Sequence, residues 1–246
     1  MFAMTSVRPM PRIYRRANAA GFGNEAPAAG DLKRPATPRS KPLKRPSQQR
    51  AHFTVNAIYD AFVRIWRRDG WEGVTTRAVA LEAGFSVGAL YEYFPSKEAL
   101  ASGYVRHTVE TMLARIDTEV TQRTDADWRT RVRRLVAIAC GADDEATGIV
   151  FDADIIGLEP RIAEPKHHRR VFEEFCEAWR RALCACPDLP SAPDAAKVQA
   201  LVLAVWGARR YRLLLQGAAL QPAQWVAEMQ ALCLAALDEK ATDAQP

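Results

Sequence analysis

The chain has 246 residues, of which 48% are apolar and 26% charged, with a net charge of +5. That length supports one or two domains with real cores, and no apolar run approaches the length of a transmembrane helix, so no bilayer-spanning segment is expected. The five cysteines, Cys140, Cys176, Cys184, Cys186 and Cys233, are odd in number and irregular in spacing, which points to a reducing, cytoplasmic setting rather than a disulfide scaffold.

The charge is unevenly placed. Residues 1–50 hold eleven Lys/Arg against Glu25 and Asp31, a balance of +9, and leave 23 basic and 27 acidic residues for the remainder. Residues 1–46 are rich in Pro, Arg, Ala and Gly and poor in large apolar side chains. They cannot bury enough surface to offset ordering entropy, and we expect a disordered basic tail. Such an arm either lies on DNA phosphates or is a solvated extension without a partner. It lacks the continuous apolar run of a secretory signal, so no such leader is expected.

Ser47, after Pro46, is the expected cap at which order begins. Val55, Ile58, Phe62, Ile65 and Trp66 then recur at helical spacing, one face of an amphipathic helix. It should end at Asp69-Gly70, where glycine supplies a left-handed terminus. Thr75 or Thr76 caps a second short helix to about Ala83, with Val79 and Ala80 inward. Gly84-Phe85 makes a turn, and Ser86 caps a third short helix carrying Leu90 and Phe94. Pro95 ends it, and Ser96 caps the next helix.

From Ser96 on, helix follows helix. One runs to about Gln122, and others are expected near 126–142, 145–157, 162–186, 194–216 and 222–239. Breaks are expected at Thr124-Asp125, Glu159-Pro160, Pro187 through Pro193, and Gly217 with Pro222. The predicted fold is all-α: an N-terminal three-helix unit over 52–112 and a bundle of about six helices over 113–246.

The segment 75–94 carries the chemistry. Two short helices across a glycine turn, braced by the helix before them, make a helix-turn-helix whose second helix enters a major groove. Val87, Gly88 and Ala89 form a slim turn after Ser86, so the backbone can approach base edges and the two side chains can meet thymine methyls. Tyr91 and Tyr93 carry hydroxyls that can donate to phosphates. Lys97 sits near a helix N-terminus, and Thr75 and Thr76 do likewise for the second helix, both anion-binding settings. Arg77 either reaches a guanine edge or pairs with Glu72 or Glu82. Arg50 is either a phosphate contact or a solvated end. Leu90, Phe94, Val79 and Phe62 read as core.

The stretch Ser86-Val-Gly-Ala-Leu-Tyr-Glu-Tyr-Phe-Pro-Ser-Lys97, after Thr75-Thr-Arg-Ala-Val-Ala-Leu-Glu-Ala-Gly84, resembles the TetR family of bacterial transcriptional regulators. The likeness runs from about Ala51 to Met112. It implies a homodimer on a palindromic operator, with phosphate contacts from Thr75 or Thr76, Tyr91, Tyr93 and Lys97. Base contacts would come from Arg77 and Val87–Ala89. It also implies a small-molecule effector. Two departures stand out: the long basic tail, and Phe85 where a small β-branched residue is usual.

Residues 194–239 hold more apolar surface than one helix face needs. Val198, Leu201, Val202, Val205, Trp206, Leu213 and Leu214 crowd one segment, and Trp225, Met229, Leu232, Leu234 and Leu237 crowd the other. Two such helices per subunit can form a four-helix interface; the alternative is that they fill the monomer core. Trp128, Phe151, Phe172, Phe175, Trp179, Trp206 and Tyr211 either line a cavity for a largely apolar effector or are plain core. Arg209, Arg210 and Arg212, and Asp152 with Asp154, interrupt apolar stretches; inter-helix ion pairs are the default reading and a carboxylate ligand held by Arg the sharper one. Asp143-Asp144 reads as a solvated pair.

No cofactor or metal is expected: Cys184 and Cys186 near His167 and His168 lack zinc spacing. No catalytic residue is expected either, since the four histidines are scattered and neither a phosphate-cradling loop nor a nucleophile with its base is present. The expected protein is thus a DNA-binding regulator, most simply a repressor. The rival is a helical adaptor on the same fold that does not bind an operator.

Overall fold

The computed structural model describes residues 49–144, 146–215 and 221–238. The tail 1–46, the expected cap Ser47 and the side chain of Arg50 lie outside the described residues. Among the described residues the regular structure is helical throughout, and no helix is long and apolar enough to cross a membrane.

Helix α1 spans Gln49–Gly73, broken by Gly70 with φ 65° and ψ −169°. Only glycine holds that conformation without strain, so the expected stop at Asp69-Gly70 is a sharp bend. The chain resumes one more turn, and α2 follows at Thr76–Glu82, α3 at Val87–Tyr91 and α4 at Lys97–Ile116. Thr75, Ser86 and Ser96 accept from the backbone N–H three residues on, at 3.0, 3.1 and 3.1 Å, so each of these helices has its N-cap.

The end of α4 widens into a π-helical turn, Asp117–Thr121. Arg131, 2% exposed, donates to the carbonyls of Val120, Thr121 and Ala185 at 3.0, 3.0 and 2.7 Å. A buried cation thus satisfies carbonyls left over where two helices end, a favourable place for positive charge.

Then come α5 (Trp128–Cys140), α6 (Ala153–Ile162) and α7 (Pro165–Cys184). A single run consists of α8 (Ala195–Val202), a π-helical stretch (Leu203–Gly207) and α9 (Ala208–Leu214), and α10 covers Pro222–Asp238.

Two sequence expectations fail here. The helix expected over 145–157 starts only at Ala153, capped by Asp152. Gly141 and Gly148 take left-handed φ values of 75° and 72°. The apolar run Ile149-Val150-Phe151 is pulled non-helically into the core. The break expected at Glu159-Pro160 is also absent, since α6 continues to Ile162. Proline costs an interior helix about 3 kcal/mol. Here Ile155, Ile156, Leu158 and Ile162 are all buried, and that packing overrides the local penalty.

The apolar side chains form two cores. The first joins Val55, Ile58, Phe62 and Ile65 of α1 to Val79, Leu90, Phe94, Leu100 and Tyr104, and takes in Ile149–Phe151 and the buried face of α6. The second joins Met112 and Ile116 of α4 to α5, α7, the α8–α9 run and α10. Helix α4 serves both, its first half in one core and its second in the other.

Candidate nucleic-acid interface

Helix α2 is held against α1 by ions as well as packing. Glu82 accepts from Arg64 Nε at 2.7 Å and lies 3.8 Å from Arg68. The hydrogen bond from Arg64 holds the Glu82 carboxyl below its ordinary range. Glu82 is therefore occupied from α1. Among the described residues Arg77 makes no ion pair, and it stands exposed on α2. The alternative pairing with Glu82 is not formed.

The turn closes through Phe85 N–H to the Ala80 carbonyl, 2.9 Å, with Gly84 at φ 75°. Phe85 packs half-buried against the first core, so the bulky residue at that position is accommodated. Leu90, Val79, Phe94 and Phe62 are all buried, at 1% exposure or less, as core residues should be.

The opposite side of the motif faces outward. Thr75, Ser86, Val87 and Gly88 are exposed, as is Tyr91, while Thr76, Ala89, Tyr93 and Lys97 are half-buried. Thr75 and Ser86 use their oxygens as helix caps, which leaves each O–H free to donate. The Thr76 and Tyr91 hydroxyls meet at 3.0 Å, tying the start of α2 to the end of α3; one O–H of the pair remains to donate outward. Tyr93 lies beside Phe94, ring centres 6.4 Å apart.

Lys97 departs from the simple picture of an open ammonium. Its Nζ donates to the Trp71 carbonyl at 3.4 Å and stands 4.3 Å over the Trp71 ring. Arg161 of α6 approaches the same ring at 5.5 Å and pairs with Glu98. Sequence reasoning passed over Trp71, whose only signal is an aromatic directly after Asp69-Gly70. It also passed over Leu81, 80% exposed one turn beyond Arg77, and Phe53, 75% exposed near the start of α1. Apolar residues inside a helical pattern carry no local mark of exposure.

A family model described as "Bacterial regulatory proteins, tetR family" matches residues 58–103, the stretch from mid-α1 into α4. The stretch from mid-α1 into α4 is therefore similar to the DNA-reading part of that family. The nucleoid occlusion factor SlmA of Haemophilus influenzae is 40% identical over 55 residues, 22% of this chain and 25% of that protein. SlmA of Salmonella paratyphi A is 28% identical over 81 residues, 33% of this chain and 40% of that one. The matched part is thus under half of these curated relatives.

Solved structures extend the likeness across the fold. The fatty acid degradation regulator FadR of Bacillus halodurans aligns with TM-score 0.55 at 15% identity, covering 74% of this chain and 94% of its own. SmeT, the repressor of the Stenotrophomonas maltophilia multidrug efflux pump SmeDEF, aligns at 0.53 and 18%, covering 76% and 91%. A TetR-family regulator of Streptomyces coelicolor aligns at 0.51 and 19%, covering 75% and 97%. The chain shares their all-α architecture.

Proposed function

We propose that this chain is a regulator of the tetR family, a homodimeric repressor that reads a palindromic operator through α2 and α3. A small, largely apolar effector releases it. On this reading residues 52–112 read DNA and 113–246 dimerise and sense. The carrying observation is the first turn of α3. Val87 and Gly88 face outward, flanked by the exposed Ser86 and Tyr91, while Leu90 anchors the turn in the core. Small side chains at a helix start let a backbone sit deep in a major groove.

Dimerisation is supported by an uncharged outward stripe on the α8–α9 run. Ala200, Leu203, Ala204, Gly207, Tyr211 and Leu214 recur at helical spacing and all are exposed, with Leu203 at 59% and Tyr211 at 66%. On α10, Ala227, Ala231, Leu232 and Ala235 are exposed likewise. The apolar excess is therefore divided. Val198, Leu201, Val202, Val205, Trp225 and Leu237 fill the chain's own core, and the outward residues fit a second copy. Tyr211, being exposed, belongs with this stripe rather than with a pocket lining. Regulation by a small molecule is supported by a fold neighbour whose structure was solved as a SmeT–triclosan complex.

Repression works by population shift: the effector favours a bundle shape in which the two α3 helices no longer match groove spacing, so no covalent step is needed. The test is footprinting and fluorescence anisotropy on DNA upstream of the chain's own gene, at several salt concentrations. A palindromic footprint is expected, with affinity falling steeply as salt rises. Arg77→Ala with Tyr91→Phe alters two exposed side chains, and should abolish the footprint in a folded dimer. An adaptor would leave the DNA unprotected with or without the substitutions.

A further inference from the structure

Inside the second core lies a charge that neither dimerisation nor DNA reading uses. Arg209 of α9 is 3% exposed. Among the described residues its carboxylate partner is Asp144, which meets Nη2, while Nη1 faces the Met112 sulfur at 3.2 Å and the Ala139 carbonyl at 3.4 Å. Asp144 engages through Oδ2 alone, and its Oδ1 is buried without a hydrogen-bond partner. The neighbouring Arg210 meets Glu159 through two nitrogens and both oxygens. The Arg209 pair is thus the poorer of two adjacent pairs, in the drier place.

The surroundings of Arg209 are aromatic. Its guanidinium lies 4.9 Å from the Phe151 ring centre and 5.4 Å from that of Trp206. Trp206 stacks on Phe175 at 4.7 Å and sits in the π-helical stretch, a feature common at functional sites. Asp144 comes from a non-helical segment bounded by left-handed Gly141 and Gly148, not from a packed helix. A Cβ at Gly141 would stand 2.7 Å from both Arg209 Nη2 and Asp144 Oδ2. Burial also pushes the Asp144 carboxyl above its ordinary range, against the pull of Arg209.

We infer that the effector is an aryl-bearing carboxylic acid whose carboxylate takes Arg209, displacing Asp144, while its ring enters the Phe151–Trp206–Phe175 stack. The inference rests on the effector reading above and names its chemistry. A free carboxylate can turn both oxygens toward the guanidinium, the stronger geometry; the tethered Asp144 uses one. Displacing Asp144 also reaches the DNA end. The residues that follow Gly148 seat Phe151 in the first core, donate from Val150 N–H to the Tyr104 hydroxyl at 2.7 Å, and end at Asp152, which accepts from Trp66 Nε1 at 3.1 Å.

The test is calorimetric titration of the full chain with phenylalkanoic acids of increasing length, from benzoate to 5-phenylpentanoate, and with their neutral amides. The same titrations are run on Asp144→Asn and Arg209→Gln. At least one acid should bind the wild type, with its amide about tenfold weaker or worse. Asp144→Asn, which removes the internal competitor and keeps an acceptor for Arg209, should bind that acid about tenfold more tightly; Arg209→Gln should lose it. The comparison of acid with amide needs only the wild type, so it decides even if a variant misfolds. Equal binding of acid and amide, no tightening in a folded Asp144→Asn, or no acid bound up to roughly 10 mM overturns the inference. Amides that bind and loosen DNA reject the anionic seat and keep effector control. Compounds that bind and leave DNA affinity untouched reject effector control itself.

Discussion

Gly88 has room for a methyl group: a Cβ added there comes no closer than 3.9 Å to Ser86 Oγ. Nothing inside the chain therefore requires glycine. Alanine is the better helix former by about 1 kcal/mol, so Gly88→Ala should melt at or above the wild-type temperature. If the turn lies against base edges, the same methyl meets DNA, and operator affinity should fall about tenfold or more, the scale of a disturbed base contact. Melting curves and anisotropy on one preparation check both halves. Unchanged affinity would remove this turn from the interface.

Arg209 and Asp144 give a second case at this scale. Removing one partner of a buried pair leaves the other charge stranded, a cost of about 3–5 kcal/mol. Arg209→Leu should thus be much less stable than Arg209→Leu/Asp144→Leu, read by chemical denaturation. Equal losses would show that the pair is already hydrated. Asp143, the neighbour, behaves otherwise: it accepts from Arg115 at 2.7 Å and Arg134 at 2.6 Å at the rim. The sequence reading of both aspartates as a solvated pair holds for neither, because the segment's bend sends one side chain into the core and the other into an ion cluster.

At the scale of elements, α6 depends on its first residue. Asp152 accepts from Ile155 N–H at 2.9 Å and from the Trp66 indole at 3.1 Å, so one carboxylate both starts α6 and fastens it to α1. Asp152→Ala should cost about 1–2 kcal/mol from the cap alone. Asp152→Asn, which keeps an acceptor, should cost less; the two melting temperatures decide it.

The junction of α4, α5 and the 141–144 segment is electrostatic. Burial raises the Glu119 and Asp143 carboxyls, but hydrogen bonds from Arg115 and Arg134 outweigh it, and both end below their ordinary range. A depressed folded pKa contributes stability above the unfolded value and loses it as pH falls through the folded value. The melting temperature should therefore drop as pH is lowered below about 4.5. The drop should be smaller in Glu119→Gln/Asp143→Asn. The pairs are about a third exposed, which limits each to about 1 kcal/mol.

At the scale of the whole molecule, the outward stripe on the α8–α9 run should be the dimer seam. Leu203→Glu in two facing copies would bring like charges together in an apolar contact. Light scattering should show a monomer with unchanged helicity, and operator affinity should fall because one reading head replaces two. A dimer that survives the substitution would place the seam elsewhere.

How much was legible follows from the range of the forces involved. The chain's order along α1, α2, the glycine turn and α3 was readable because caps, left-handed glycines and apolar periodicity act within a turn or two. The residues themselves announce Thr75, Gly84, Ser86 and the buried Leu90. The family likeness was legible for the same reason, being carried by that short signature.

Tertiary structure alone decided that Ile149–Phe151 leave helical geometry to enter the first core, and that α6 runs through Pro160. It also placed Lys97 on Trp71 and joined Arg209 to Asp144 across 65 residues. Each of these outcomes is set by burial and ion pairing between segments distant in the chain. Such contacts are worth more than the local preference they override, and no window of sequence contains both partners.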